Sequence, residues 1–71
     1  MINIALVGAS GKMGQALIRQ SLNDEAVQVT NYLVNDKSIF LGSDVGEHHF
    51  SESSGKYFSK TTDEPFDCII D

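Results

Sequence analysis

The sequence is poor in several things, and each shortage closes off a class of protein. It holds a single cysteine, Cys68, so there is no disulfide framework, and a reducing compartment is the natural reading. Five bases stand against ten acids, for a formal charge of −5; a chain that wraps nucleic acid by charge usually needs a basic face. The longest apolar run is Ile4 to Val7, far short of the ~20 residues that cross a bilayer. The opening Met1-Ile2-Asn3 lacks the basic flank of a secretory leader. Repeats and low-complexity tracts are missing as well. These absences predict a cytoplasmic chain with neither a membrane nor a nucleic-acid partner. Length is also short. A typical domain runs to about 100–200 residues, and this chain has 71. It ends at Cys68-Ile69-Ile70-Asp71, inside what reads as a buried strand, so the expectation is a piece of something larger.

What is present suffices for a core, with 41% hydrophobic and 21% charged residues, which argues against disorder. Ile2 to Val7 is a short apolar run bounded by glycine, as in a strand buried on both faces. Gly8 to Gly14 form a glycine-rich turn, and a helical pattern continues to about Leu22. Gly14, Leu17, Ile18 and Ser21 fall on one face of that helix, with Ser10 expected as its N-cap and Asn23-Asp24 as its exit. Val27 to Val34 reads as a second strand. Residues 35–52 are expected to be mostly loop, with a polar, mobile patch at Ser51–Gly55. Tyr57 to Ser59 reads as a short strand, Thr61 to Pro65 as a turn, and Asp67 to Ile70 as another buried strand, with Cys68 a small buried hydrophobe. Strand, glycine turn, helix and strand make a βαβ unit. The fold class is therefore α/β, the start of a Rossmann-like parallel sheet, with residues 1–71 a partial dinucleotide-binding domain.

The chemistry lies in Gly8-Ala9-Ser10-Gly11-Lys12-Met13-Gly14. The spacing is G-x-x-G-x-x-G rather than G-x-G-x-x-G, but the mechanics carry over. Gly8 ends the strand in a tight turn, Gly11 lets backbone approach a pyrophosphate, and Gly14 lets the helix pack closely. The free N–H groups at the helix start then face the phosphates. A phosphate-loop NTPase is excluded twice. Met13 stands where Ser or Thr would hold magnesium, and its first glycine would have to be Leu6. The acid that reads the adenosine ribose is expected about 20 residues on, where Val34 stands. With no carboxylate there, and Lys12 and Lys37 nearby, NADPH is expected to be at least tolerated alongside NADH.

Three segments resemble one family, 4-hydroxy-tetrahydrodipicolinate reductase, also called dihydrodipicolinate reductase. They are Val7-Gly8-Ala9-Ser10-Gly11-Lys12-Met13-Gly14, Leu41-Gly42-Ser43-Asp44-Val45-Gly46-Glu47 and Asp67-Cys68-Ile69-Ile70-Asp71. They come in the family's order and span nearly the whole chain. The resemblance implies an NADH- or NADPH-dependent reductase of lysine and diaminopimelate synthesis. By residue, it implies that Gly8 to Met13 hug the pyrophosphate and that Lys12 lies near the adenosine ribose or its phosphate. Val34 and Asn35 stand where many members carry an acid and a base, and the chain departs from the pattern at both. The same resemblance places the small-molecule substrate, the catalytic residues and the contacts of a homotetramer in a C-terminal domain.

Other features are expected to be structural. Glu47-His48-His49 has the look of the family's catalytic E-x-H-H-x-x-K-x-D stretch, but the lysine position is Glu52. Adjacent histidines on a loop also lack the further ligands that zinc requires. They are therefore read as surface residues, leaving no catalytic residue and no metal ligand in the chain. Tyr32, Phe40, Tyr57, Phe58 and Phe66 are expected to pack. Two rival functions remain on sequence alone. One is an epimerase or short-chain-type dehydrogenase, whose Tyr-x-x-x-Lys pair is absent from these residues; the other is a non-enzymatic nucleotide-binding module.

Overall fold

The computed structural model describes residues 1–71. Six elements follow one another: β1 (Ile2–Val7), α1 (Lys12–Leu22), β2 (Val27–Leu33), α2 (Val45–Phe50), β3 (Phe58–Ser59) and β4 (Cys68–Ile70). The four strands form one sheet in the order β3-β2-β1-β4, and every pair is parallel. This is the first half of the doubly wound order, in which the chain moves outward to β2 and β3 and then crosses to the other side of β1. The expected parallel βαβ unit is present. No helix is long and apolar enough to cross a membrane.

α1 forms where the apolar stripe predicts it. Gly14 and Ile18 are buried, and Leu17 packs against the cluster of Leu6, Ala9, Ile18, Val29, Val34, Val45 and Phe58. The helix leaves through Asn23, whose N–H donates to the Gln20 carbonyl, and Asp24 Oδ1 then accepts from the Ala26 N–H to aim the chain into β2. Between Ile4 and Ala5 of β1 the register skips Thr30 of β2, a bulge. The extra residue is put to use. Thr30 Oγ1 lies 3.2 Å from the Pro65 carbonyl, and the buried Asn31 brackets the backbone of Glu64, accepting its N–H at 3.1 Å and donating to its carbonyl at 2.9 Å. These bonds fasten the connection that leads from β3 across to β4.

Several expectations need correction. The N-cap of α1 is Gly11, and no side chain caps the helix, so Ser10 does not play that part. Residues 35–52 are not all loop, because 45–50 form α2. β2 stops at Leu33 and β3 begins at Phe58, each one residue shorter than expected. β4 is not buried. It is one of the two edge strands, paired only with β1, and Cys68 and Ile69 are exposed. Among the aromatics Phe58 is fully buried and Phe40 packs on the core, whereas Tyr57 and Phe66 are exposed.

Candidate functional site

The glycine turn leaves the carboxyl end of β1, at the point where the sheet's order reverses between β1 and β4. Open α/β sheets bind ligands in that crevice. Gly8 has φ +70, the left-handed region in which a side chain is strained. The Ala9 N–H donates to the carbonyl of Leu33 at the end of β2, and the Gly11 N–H returns to the Gly8 carbonyl at 3.2 Å. Gly14 is a packing residue: a Cβ there would stand 2.5 Å from the Ala9 carbonyl oxygen. A Cβ on Gly11 would meet only the Gly8 carbonyl oxygen, at 3.6 Å. Gly8 thus makes the tight turn and Gly14 the close helix packing that their spacing predicts, and Gly11 leaves open space beside the turn.

The turn offers four backbone N–H groups with no partner, those of Ser10, Lys12, Met13 and Gly14. Orphan donors at a helix start carry the positive end of the helix dipole. The first turn of α1 contains no acid to oppose an anion, and Lys12 adds a cation there. A Cβ-free approach at Gly11 completes a cradle suited to a pyrophosphate. At the end of β2 the side chains turn elsewhere. Val34 is buried in the core, and Asn35 Oδ1 accepts from the Lys37 N–H at 2.9 Å. Neither puts a carboxylate into the crevice.

Beside the turn lies a knot that sequence reasoning missed. Asp44 Oδ1 accepts from the Glu47 N–H at 3.0 Å, starting α2. The same carboxylate takes the N–H groups of Ser54 and Gly55 and the hydroxyls of Ser53 and Ser54. Burial opposes its ionisation, but the backbone donors of Glu47, Ser54 and Gly55 together with the Ser54 hydroxyl outweigh that and hold the carboxyl well below the usual range. The polar patch expected to be mobile is therefore fastened to Asp44. Gly46 lies so near the backbone of Glu52 and Ser54 that no Cβ fits. The Asp44-x-x-Glu47 spacing was the available signal, since an oxygen-bearing side chain three residues before Glu is how a capped helix begins.

The histidines are not surface residues. Both are half-buried. His48 Nε2 lies 2.8 Å from the Ser10 carbonyl oxygen and His49 Nε2 lies 2.7 Å from that of Ala9. A carbonyl only accepts, so each imidazole carries its proton on Nε2. The His48 ring lies tilted against Phe40 at 4.3 Å and edge-on to Phe58 at 5.4 Å, and the His49 ring is edge-on to Phe58 at 6.0 Å. Gln15 Nε2 of α1 donates to the His49 carbonyl at 2.9 Å, joining the two helices.

Compared with known families, residues 2–71 match the one described as dihydrodipicolinate reductase, N-terminus. The chain belongs to this family, a nucleotide-binding domain of an oxidoreductase.

Proposed function

We propose that the chain grips the ADP half of NADH or NADPH for a reductase of the lysine and diaminopimelate pathway, whose substrate is 4-hydroxy-tetrahydrodipicolinate. One observation carries the binding step: the four free amides of Ser10, Lys12, Met13 and Gly14, gathered at the sheet's switch point in a chain of this family. Gly8, Ala9 and Gly11 shape the turn, and the amides receive the pyrophosphate. Lys12 stands near the adenosine ribose or its 2′-phosphate, and Val34 and Asn35 bound the ribose end without a negative charge. The bound nicotinamide supplies the hydride. These residues supply binding and orientation, because His48 and His49 already spend their Nε2 protons on the turn. Substrate contact and the assembly of a cytoplasmic homotetramer belong to the same reading and fall to residues outside this chain.

The test is titration of the 71-residue chain with ADP, NADH and NADPH, followed by calorimetry and by amide shifts. All three should saturate the same residues, 8–14, with NADPH bound at least comparably to NADH. Hydride transfer needs substrate and nicotinamide held in register, so the chain alone should show no turnover. The absence of saturable ADP binding, or a strong preference for NADH, would count against the respective parts of the proposal.

A further inference from the structure

The two histidines of α2 do more than fill space. They hold two consecutive peptide groups of the glycine turn, through the carbonyls of Ala9 and Ser10. No other donor reaches either oxygen, and Ala9 is completely buried. In a trans peptide the N–H points opposite to the C=O. Fixing the Ala9 carbonyl on His49 therefore aims the Ser10 N–H, one of the four free donors, away from α2. Fixing the Ser10 carbonyl on His48 sets the Gly11 N–H, which closes the turn onto the Gly8 carbonyl at 3.2 Å. α2 can act as a rigid arm because it is held twice more. Gln15 Nε2 holds the His49 carbonyl at 2.9 Å, and the Asp44 knot fixes the first turn of α2.

We infer that His48 and His49 are positioning residues, a two-imidazole clamp that sets the peptide planes of the phosphate-binding turn before any nucleotide arrives. A glycine-rich turn is soft, and a prealigned donor set binds an anion without first losing that freedom. The inference rests on the dinucleotide reading for its consequence in binding, but the clamp itself is a property of the free chain.

The test uses three versions of the 71-residue chain: the native sequence, the double variant His48→Leu/His49→Leu, and His48→Gln/His49→Gln. The glutamine Nε2 restores a donor at about the same reach as imidazole Nε2. Backbone 15N relaxation is read first, without ligand. The turn amides of residues 9–12 should be as ordered as β1 in the native and glutamine chains, with order parameters near ~0.85. In the leucine chain they should fall below ~0.6 while β1 and β2 stay rigid. ADP is then titrated into each. The leucine chain should bind about tenfold more weakly, and the glutamine chain should recover most of that loss. A leucine chain whose turn is as ordered as the native one overturns the clamp, as does a glutamine chain with no recovery of order. A native chain with an ordered turn that fails to bind ADP overturns the dinucleotide reading and leaves the clamp standing.

Discussion

Replacing Gly14 and Gly11 by alanine, one at a time, should separate stability from binding within a single turn. A Cβ on Gly14 would stand 2.5, 2.7 and 2.8 Å from the carbonyl oxygen, carbonyl carbon and Cα of Ala9. Carbon contacts settle near about 3.5 Å, so α1 and the turn must part by about 1 Å. Neither gives easily, because Ala9 is completely buried and its carbonyl is held by His49. Overpacking of this kind costs up to about 3 kcal/mol, and alanine's better helix propensity offsets about 1 kcal/mol of it. The net loss of about 2 kcal/mol would lower the thermal midpoint of a chain this size by roughly 10 °C. Gly11 is the opposite case. Its φ of −82 and ψ of 179 suit any residue, and its Cβ would make only an ordinary 3.6 Å contact. Gly11→Ala therefore costs only the lost preference for glycine at an N-cap, about 0.5 kcal/mol. On the proposed reading, however, a phosphate comes up against the Gly11 backbone, and a methyl there would keep it from one or two of the free amides. Hydrogen bonds to charged groups contribute about 1.5–3 kcal/mol each, so ADP affinity should fall roughly 100-fold. Circular dichroism melts and ADP calorimetry on the two variants read both quantities. A Gly14→Ala chain as stable as the native one, or a Gly11→Ala chain with native ADP affinity, would refute the roles given to these glycines.

Asp44→Asn should destabilise the chain at neutral pH, because one of the two oxygens facing five donors becomes a donor itself. The folded carboxyl sits below its ordinary value, so its contribution is complete above the unfolded pKa of about 3.9 and fades as pH falls below it. Urea midpoints of the two chains should converge below about pH 4, and a gap unchanged from pH 6 to pH 2 would contradict this. Asn31→Leu removes both bonds to Glu64 beneath the sheet and should cost about 2 kcal/mol, seen as a lower urea midpoint with unchanged slope. An unaltered midpoint would mean that solvent serves Glu64 equally well. Lys12→Ala should weaken NADPH more than NADH in parallel titrations. An equal loss for both would remove Lys12 from the neighbourhood of the 2′-phosphate.

Much of the sheet was legible because its signals are local. The apolar run Ile2–Val7, the glycine spacing and the Gly14-Leu17-Ile18-Ser21 stripe each specify an element without reference to distant chain, and together they imply the parallel pairing of β1 with β2. What escaped depends on partners far away in sequence. α2 is six residues long, below the length at which an apolar stripe can announce a helix, and it is stabilised by tertiary bonds to Ser54, Gly55 and the glycine turn. Cys68 and Ile69 look like core because they are apolar, yet burial is set by what lies on the far side of a strand. Here β4 has β1 as its one neighbour.

The histidines give the clearest instance of this limit, and they alter how the site should be understood. A pair of adjacent imidazoles after a glutamate invites a catalytic or metal reading, and the wrong spacing to lysine rules that family stretch out. Their half-burial and their bonds to the turn overturn the reading of the pair as surface residues. A buried carbonyl without a partner is costly, and the glycine turn exposes two of them toward α2 because its amides point the other way. Freeing the Ser10 amide for a ligand therefore leaves the Ala9 carbonyl to be satisfied from behind, and His49 satisfies it. On the dinucleotide reading the Ala9–Ser10 peptide therefore serves both sides, its amide free for a phosphate and its carbonyl held by His49. The turn itself could be read from glycine spacing, whereas its carbonyl side becomes visible only when every backbone partner is accounted for.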